Sequence, residues 1–166
     1  MTIKNILLKI KNKKVKVGII GMGYVGLPLA KSFVEKNIDT YGFDIDQKKI
    51  SNLRKGISYI NYFAHKEIKK MNKKKFTPTV DFSLISKMDL IILCLPTPLK
   101  KNKSPDMSYI LSSLKTILPF LKENQVLSLE STTYPGTCEE VILPLLNKKF
   151  NVGKNFYLVY SPERED

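Results

Sequence analysis

Tryptophan is absent from this 166-residue chain, histidine occurs once and cysteine twice. Two cysteines, Cys94 and Cys138, are too few for a disulfide framework, which points to a reducing, cytoplasmic setting. Cys94 falls in an apolar run and reads as a small buried hydrophobe. Cys138 falls near a predicted helix start, a position that lowers a thiol pKa. With no base predicted beside it, it is read as structural. The lone His65, between Ala64 and Lys66, reads as a surface residue, and no metal site is expected. No apolar run approaches the roughly 20 residues of a membrane span. Lys4 and Lys9 interrupt the N-terminal apolar residues, so that stretch does not have the form of a signal peptide.

Arginine is also scarce, at Arg54 and Arg164 only, although the formal net charge is +13. A charge of that size invites a nucleic-acid reading. The lysines are scattered rather than gathered on one face. No helix-turn-helix, zinc or RNP signature accompanies them. A solvated basic surface that attracts small anionic ligands is the simpler account, and no nucleic-acid partner is expected.

What is present is an alternation of strand-like and helix-like segments. Apolar runs at residues 15–20, 40–43, 77–80, 90–95, 125–129 and 156–160 read as strands. Amphipathic or capped stretches up to about residue 37 and at 46–54, 64–75, 107–121 and 137–146 read as helices, with a helical turn at 81–87. Asp46 is a predicted cap, as is Asp106 or Ser104. Pro28 lies near the first turn of its helix, where a missing N–H is tolerable. Ile3, Ile6, Leu7 and Ile10 fall at helical spacing in a basic N-terminal segment, residues 1–14, and are expected to pack on the body of the domain. The continuously apolar fourth strand requires both sheet faces to be covered. The predicted fold is one α/β domain, residues 15–166, with a doubly wound parallel sheet of Rossmann type.

The stretch GIIGMGYVGLPLA, residues 18–30, is the most informative. Gly21, Gly23 and Gly26 have G-x-G-x-x-G spacing between a strand and a helix. The first glycine permits a tight turn, the second close approach of a pyrophosphate, and the third close helix–sheet packing. The helix N-terminus offers N–H groups to the phosphates. Asp44 ends the next strand about 20 residues further on, where a carboxylate takes ribose hydroxyls and repels a 2′-phosphate, so NAD is favoured over NADP. Three further polar segments fall at strand ends: Pro96-Thr97-Pro98, Glu130 to Thr133, and Ser161 to Arg164. Ligands of such sheets bind there.

GMGYVGLPLA, FDID, LPTP, ESTTYPGT and YSPERED, in this order, resemble the motifs of the NAD-binding domain of the UDP-glucose/GDP-mannose dehydrogenase family. ESTTYPG with SPERED is most similar to the UDP-N-acetylglucosamine, or N-acetylhexosamine, 6-dehydrogenase branch. The resemblance spans nearly the whole chain. It implies oxidation of a UDP-sugar C6 alcohol to a carboxylate with two NAD, through a thiohemiacetal and a thioester on a cysteine. By position it implies that Gly21, Gly23, Tyr24, Val25 and Gly26 hold the NAD pyrophosphate. Asp44 would bind the adenosine ribose and Lys49 face the adenine end. Pro96 and Thr97 would line the cofactor cleft, and Thr132 would sit by the nicotinamide and order a water. Glu163 would be the acid/base residue of thioester turnover, and Arg164 would orient the loop or touch substrate. The alternatives are that Thr132 only caps the following helix and that Glu163 is a surface carboxylate.

The family's nucleophilic cysteine, catalytic lysine, dimerising helix and much of its sugar pocket lie further along a longer chain, and neither Cys94 nor Cys138 matches the nucleophile. This chain is therefore expected to bind NAD without completing the oxidation, and a homodimer is expected only of the full-length protein. A non-catalytic NAD-binding module, or the remnant of a truncated gene, is the alternative reading.

Overall fold

The structure is a computed structural model and describes residues 3–101 and 103–162. Six strands form its centre: β1 (Lys16–Ile20), β2 (Asp39–Phe43), β3 (Phe76–Thr79), β4 (Leu90–Leu93), β5 (Val126–Leu129) and β6 (Tyr157–Tyr160). All neighbours pair in parallel, in the order β3-β2-β1-β4-β5-β6. The direction of strand addition reverses between β1 and β4. The register places Ile20 opposite Phe43 on one side and Leu93 on the other, and Leu93 opposite Leu129. The C-terminal ends of these strands therefore form one row, and the segments that follow them emerge together.

Each sheet face has its own apolar layer. Val17 and Ile19 pack with Leu27 and Val34 of α2 (Gly26–Glu35), Leu53 of α3 (Gln47–Arg54) and Ile68 of α4 (His65–Asn72). On the other face Leu93 and Leu127 pack with Ile110 and Leu114 of α5 (Ser108–Ile117) and Leu146 of α6 (Leu143–Leu146). The Rossmann-type doubly wound sheet expected from the alternating pattern is what forms.

Local chemistry sets the helix starts. Asp46 caps α3 by accepting the N–H groups of Lys48 and Lys49 at 2.8 and 3.1 Å. The N-cap of α5 is Met107, which makes no side-chain cap bond, rather than either predicted cap; Asp106, one residue earlier, accepts the Ser108 N–H at 3.0 Å. Hydrogen bonding to Ser108 lowers the Asp106 carboxyl below its ordinary range. The α4 helix ends at Asn72, short of the expected boundary, because the edge strand β3 already begins at Phe76.

Four expectations are corrected. The N-terminal stripe does not pack as a unit. In α1 (Ile3–Lys11) Ile6 is buried, whereas Leu7 and Leu8 are each 57% exposed and Ile3 and Ile10 are also exposed. One turn reaches the body, held by an ion pair between Lys9 and Asp89. The segment 137–146 is not one regular helix. A wider, π-type turn (Cys138–Ile142) precedes α6, immediately before Pro144, whose missing N–H interrupts the ladder. Cys138 lies in that turn, and burial together with the neighbouring Glu139 raises its thiol pKa instead of lowering it. Cys94 follows the end of β4 and is only partly buried. His65 is exposed as expected, and its Nδ1 accepts the Ser58 N–H at 2.8 Å.

Gln125, just before β5, is 3% exposed. Its Nε2 donates to the Ile85 and Met88 carbonyls at 2.8 and 2.7 Å, and its Oε1 accepts the Lys122 N–H at 2.8 Å. One amide thus closes the 3-10 turn Phe82–Lys87 and the loop into β5. Gln125→Leu removes the partner of three backbone groups. It is expected to lower the unfolding free energy by about 3 kcal/mol, read as a reduced urea midpoint at unchanged slope.

Candidate functional site

A cleft of about 850 Å³ opens over the C-terminal strand ends, beside the reversal point between β1 and β4. This is where ligands of open α/β sheets bind. The segments after β1, β2, β4 and β5 and one face of α5 wall it.

The glycine turn forms one wall. Gly21 has φ of +97°, and a Cβ there would lie 2.3 Å from the Cys94 carbonyl oxygen. That is a left-handed conformation in a space with no room for a side chain. A Cβ on Gly26 would lie 1.9 Å from the Gly21 carbonyl oxygen, so α2 meets β1 at a distance only glycine permits. Gly23 differs: a Cβ there would meet nothing within 4 Å, and the residue faces the cleft. Tyr24 and Val25 also line it. Val25 is the N-cap of α2 and makes no side-chain cap; Leu27 donates its N–H to the Gly23 carbonyl at 3.1 Å and Pro28 has none, so it is the turn residues Gly23 to Val25, ahead of the helix, that face the cleft.

Asp44 stands across from the turn. It is 8% exposed. Its Oδ2 accepts the Met22 N–H and its Oδ1 the Asp46 N–H, each at 3.0 Å. The carboxylate therefore ties the end of β2 to the glycine turn. Lys49 Nζ lies 3.5 Å from Oδ2 and over the Tyr59 ring, 6.0 Å from its centroid. Lys49 thus stands beside Asp44 at the cleft wall, and its amine partly offsets the carboxylate charge.

On the other side of the reversal point Pro96, Thr97 and Thr132 line the cleft. Thr97 Oγ1 donates to the Thr132 carbonyl at 2.6 Å, and Ser131 Oγ accepts the Leu95 N–H at 2.9 Å. These bonds lock the loop after β4 to the loop after β5. Thr132 is not the cap of the following helical segment, whose N-cap is Thr137. The structure thus brings together Gly21, Gly23, Tyr24, Val25, Asp44, Lys49, Pro96, Thr97 and Thr132, while Gly26 sits buried behind the turn. Glu163 and Arg164 lie outside the described residues.

Sequence reasoning missed part of the wall. Tyr109, Ser112, Ser113 and Thr116 of α5 face the cleft. Their i, i+3, i+4, i+7 spacing is a hydroxyl stripe opposite the buried Ile110, Leu114 and Ile117, and that periodicity was a readable signal. Cys94 also lines the cleft and is not the buried hydrophobe expected. It stands just past the last residue of β4, where the sheet no longer covers it. Among the described residues no group of three or more His, Cys, Asp and Glu side chains is placed to hold a metal.

Residues 15–166 match the NAD binding domain of the UDP-glucose/GDP-mannose dehydrogenase family. The chain belongs to that family. A UDP-N-acetyl-D-glucosamine 6-dehydrogenase from Pseudomonas aeruginosa is 38% identical over 158 residues, which are 92% of this chain and 36% of that relative. The chain thus spans little more than a third of the curated relative's length. An NDP-N-acetyl-D-galactosaminuronic acid dehydrogenase from Methanosarcina mazei superposes with a TM-score of 0.84 at 32% identity, covering 100% of this chain and 38% of that one. GDP-mannose dehydrogenase from Pseudomonas aeruginosa, solved as a ternary complex, superposes with a TM-score of 0.84 at 26% identity, over 89% of this chain and 36% of its own. NAD is the cofactor of this family domain. The cleft fits it: a glycine with open space at the turn and a carboxylate at the end of β2.

The three glycines make separable demands. Gly26→Ala is expected to destabilise the fold by about 4 kcal/mol or more, because the new carbon overlaps backbone. Gly23→Ala is expected to keep the wild-type stability within about 1 kcal/mol. Thermal melting of the two variants checks the contrast.

Proposed function

We propose that the chain is the cofactor half of a nucleotide-sugar 6-dehydrogenase. The whole protein oxidises the C6 alcohol of a UDP-sugar, a UDP-N-acetylhexosamine first among the candidates, to a uronate at the expense of two NAD. The domain proper is residues 15–166, with residues 1–14 an added basic segment. The chain spans only 36% of the curated dehydrogenase; in this reading oxidation belongs to the whole protein, which is expected to act as a homodimer. This chain alone binds NAD and leaves the sugar unchanged.

NAD supplies the hydride acceptor. The chain's residues bind and orient it. The backbone of Gly23, Tyr24, Val25 and Gly26 gives N–H groups to the pyrophosphate, and Gly21, whose own N–H is taken by the Phe43 carbonyl at 2.8 Å, makes the turn that holds it. Asp44 accepts the adenosine ribose hydroxyls with lone pairs not used by Met22 and Asp46. Its charge disfavours a 2′-phosphate. Lys49 lies at the adenine end. Pro96 and Thr97 flank the nicotinamide half, and Thr132 positions a water there. Glu163 acts as acid/base and Arg164 orients its loop or the substrate. No helix among the described residues is long and apolar enough to cross a membrane. We place the protein in the cytoplasm, where thiols such as Cys94 and Cys138 stay reduced.

The observation that carries this reading is Asp44. It is a nearly buried carboxylate at the end of β2, hydrogen-bonded to the glycine turn, on the wall of the cleft. Calorimetric titration of the purified chain with NAD is expected to give micromolar-to-millimolar binding. Asp44→Ala is expected to weaken it at least about tenfold, and NADP to bind more weakly than NAD. A folded chain that takes up no NAD at millimolar concentration would sink the proposal.

A further inference from the structure

The segment between α3 and α4 carries two tyrosines that reach the glycine turn. Tyr59 donates its hydroxyl to the Met22 carbonyl. Tyr62 donates its hydroxyl to the Tyr24 carbonyl at 3.0 Å. The Tyr62 and Tyr24 rings also meet, with centroids 6.0 Å apart and planes tilted by 35°. The segment that presents them is itself anchored. Ile60 and Phe63 are buried, and the Ser58 hydroxyl donates to the Ile60 carbonyl at 3.1 Å. The Ser58 N–H is taken by His65 at 2.8 Å.

The peptide bonds of the described residues are all trans, so in each planar unit the C=O and the following N–H point in opposite directions. The Met22 carbonyl shares its unit with the Gly23 N–H, and the Tyr24 carbonyl with the Val25 N–H. A hydroxyl that holds a carbonyl on one side therefore aims the paired N–H at the other. Gly23 and Val25 line the cleft, whereas neither Tyr59 nor Tyr62 is among the described residues that wall it. The two tyrosines grip the turn from behind.

We infer that Tyr59 and Tyr62 are positioning residues, which fix the Gly23 and Val25 peptide units so that their N–H groups converge on a dinucleotide pyrophosphate. This rests on the reading of the cleft as an NAD site. Tyr59 is well suited to a permanent grip. Burial, and then the charges of Asp44 and Asp46, push its phenol above the usual tyrosine range, so it stays protonated and a donor. Preorganisation of this kind matters because a mobile peptide unit must be ordered at the moment of binding, at a cost to affinity. The turn has glycines on either side of Met22 and so little stiffness of its own.

The test separates ligand halves. NAD and ADP-ribose contain the pyrophosphate, and adenosine does not. Tyr59→Phe is expected to weaken NAD and ADP-ribose about tenfold each and to leave adenosine affinity, followed by NMR titration, unchanged. Tyr62→Phe, on the exposed side, is expected to fold as the parent does and to show the same pattern at about threefold. An equal loss for adenosine would overturn the inference in favour of general loosening of the site. Unchanged NAD affinity in both variants would overturn it while leaving the NAD reading intact. If the unaltered chain takes up no NAD, the functional proposal and this inference fall together.

Discussion

At the close approach of α2 to β1, Gly26 has no side chain and the Gly21 carbonyl oxygen occupies the place where one would be. The helix start, the end of β1 and the segment after β4 share a space too small for any added carbon. The Gly26 Cβ position also lies 3.3 Å from the Cys94 Cβ. Because proteins pack their interiors to crystal density, such a contact transmits position faithfully. The turn residues Gly23 to Val25 stand at the cleft because the helix that follows them is pressed against the strand behind. Asp44 then extends the constraint to the neighbouring unit. By accepting the Met22 N–H it holds β2, the glycine turn and the mouth of α3 in one hydrogen-bonded unit.

A buried carboxylate beside a place for two phosphates looks unfavourable at first. The local arrangement explains how it persists. Two backbone N–H groups and the Lys49 amine share the charge of Asp44, and charge-assisted bonds to N–H groups are the stronger kind. In the proposed site the remaining lone pairs accept neutral hydroxyls, and the charge repels a further anion. In the proposed reading, selectivity between two cofactors that differ by one phosphate comes from the same group that braces the turn.

The β1–turn–α2 unit was legible in the sequence because each of its steric demands leaves a glycine behind. Asp46 was legible for a similar reason, since a helix start needs an acceptor and few side chains supply one. What was not legible depends on contacts distant along the chain. The Tyr59 bond to Met22 spans 37 residues and leaves no local pattern. The partial exposure of Cys94 depends on where β4 stops, a boundary that an apolar run does not mark. Ile6 alone of the N-terminal stripe is buried, because periodicity states which residues share a face and not whether another surface meets that face. The α5 hydroxyl stripe lay within reach. Strand-end motifs do not point to it, because it lies on the helix that closes the cleft from the side.

The two edges of the sheet are finished differently. Pro78 in β3 has no N–H to offer, which blunts that edge against further pairing. The other edge, Tyr157-Leu158-Val159-Tyr160, has neither proline nor charge, and Val159 and Tyr160 are exposed. Repulsion between copies that each carry +13 opposes the pairing of two such edges. Salt shortens that repulsion to about 10 Å at 0.1 M ionic strength. The colloidal state of a concentrated solution of this chain is therefore governed by its lysines and by the buffer, and its weak point is four residues at one margin of an otherwise well-packed sheet.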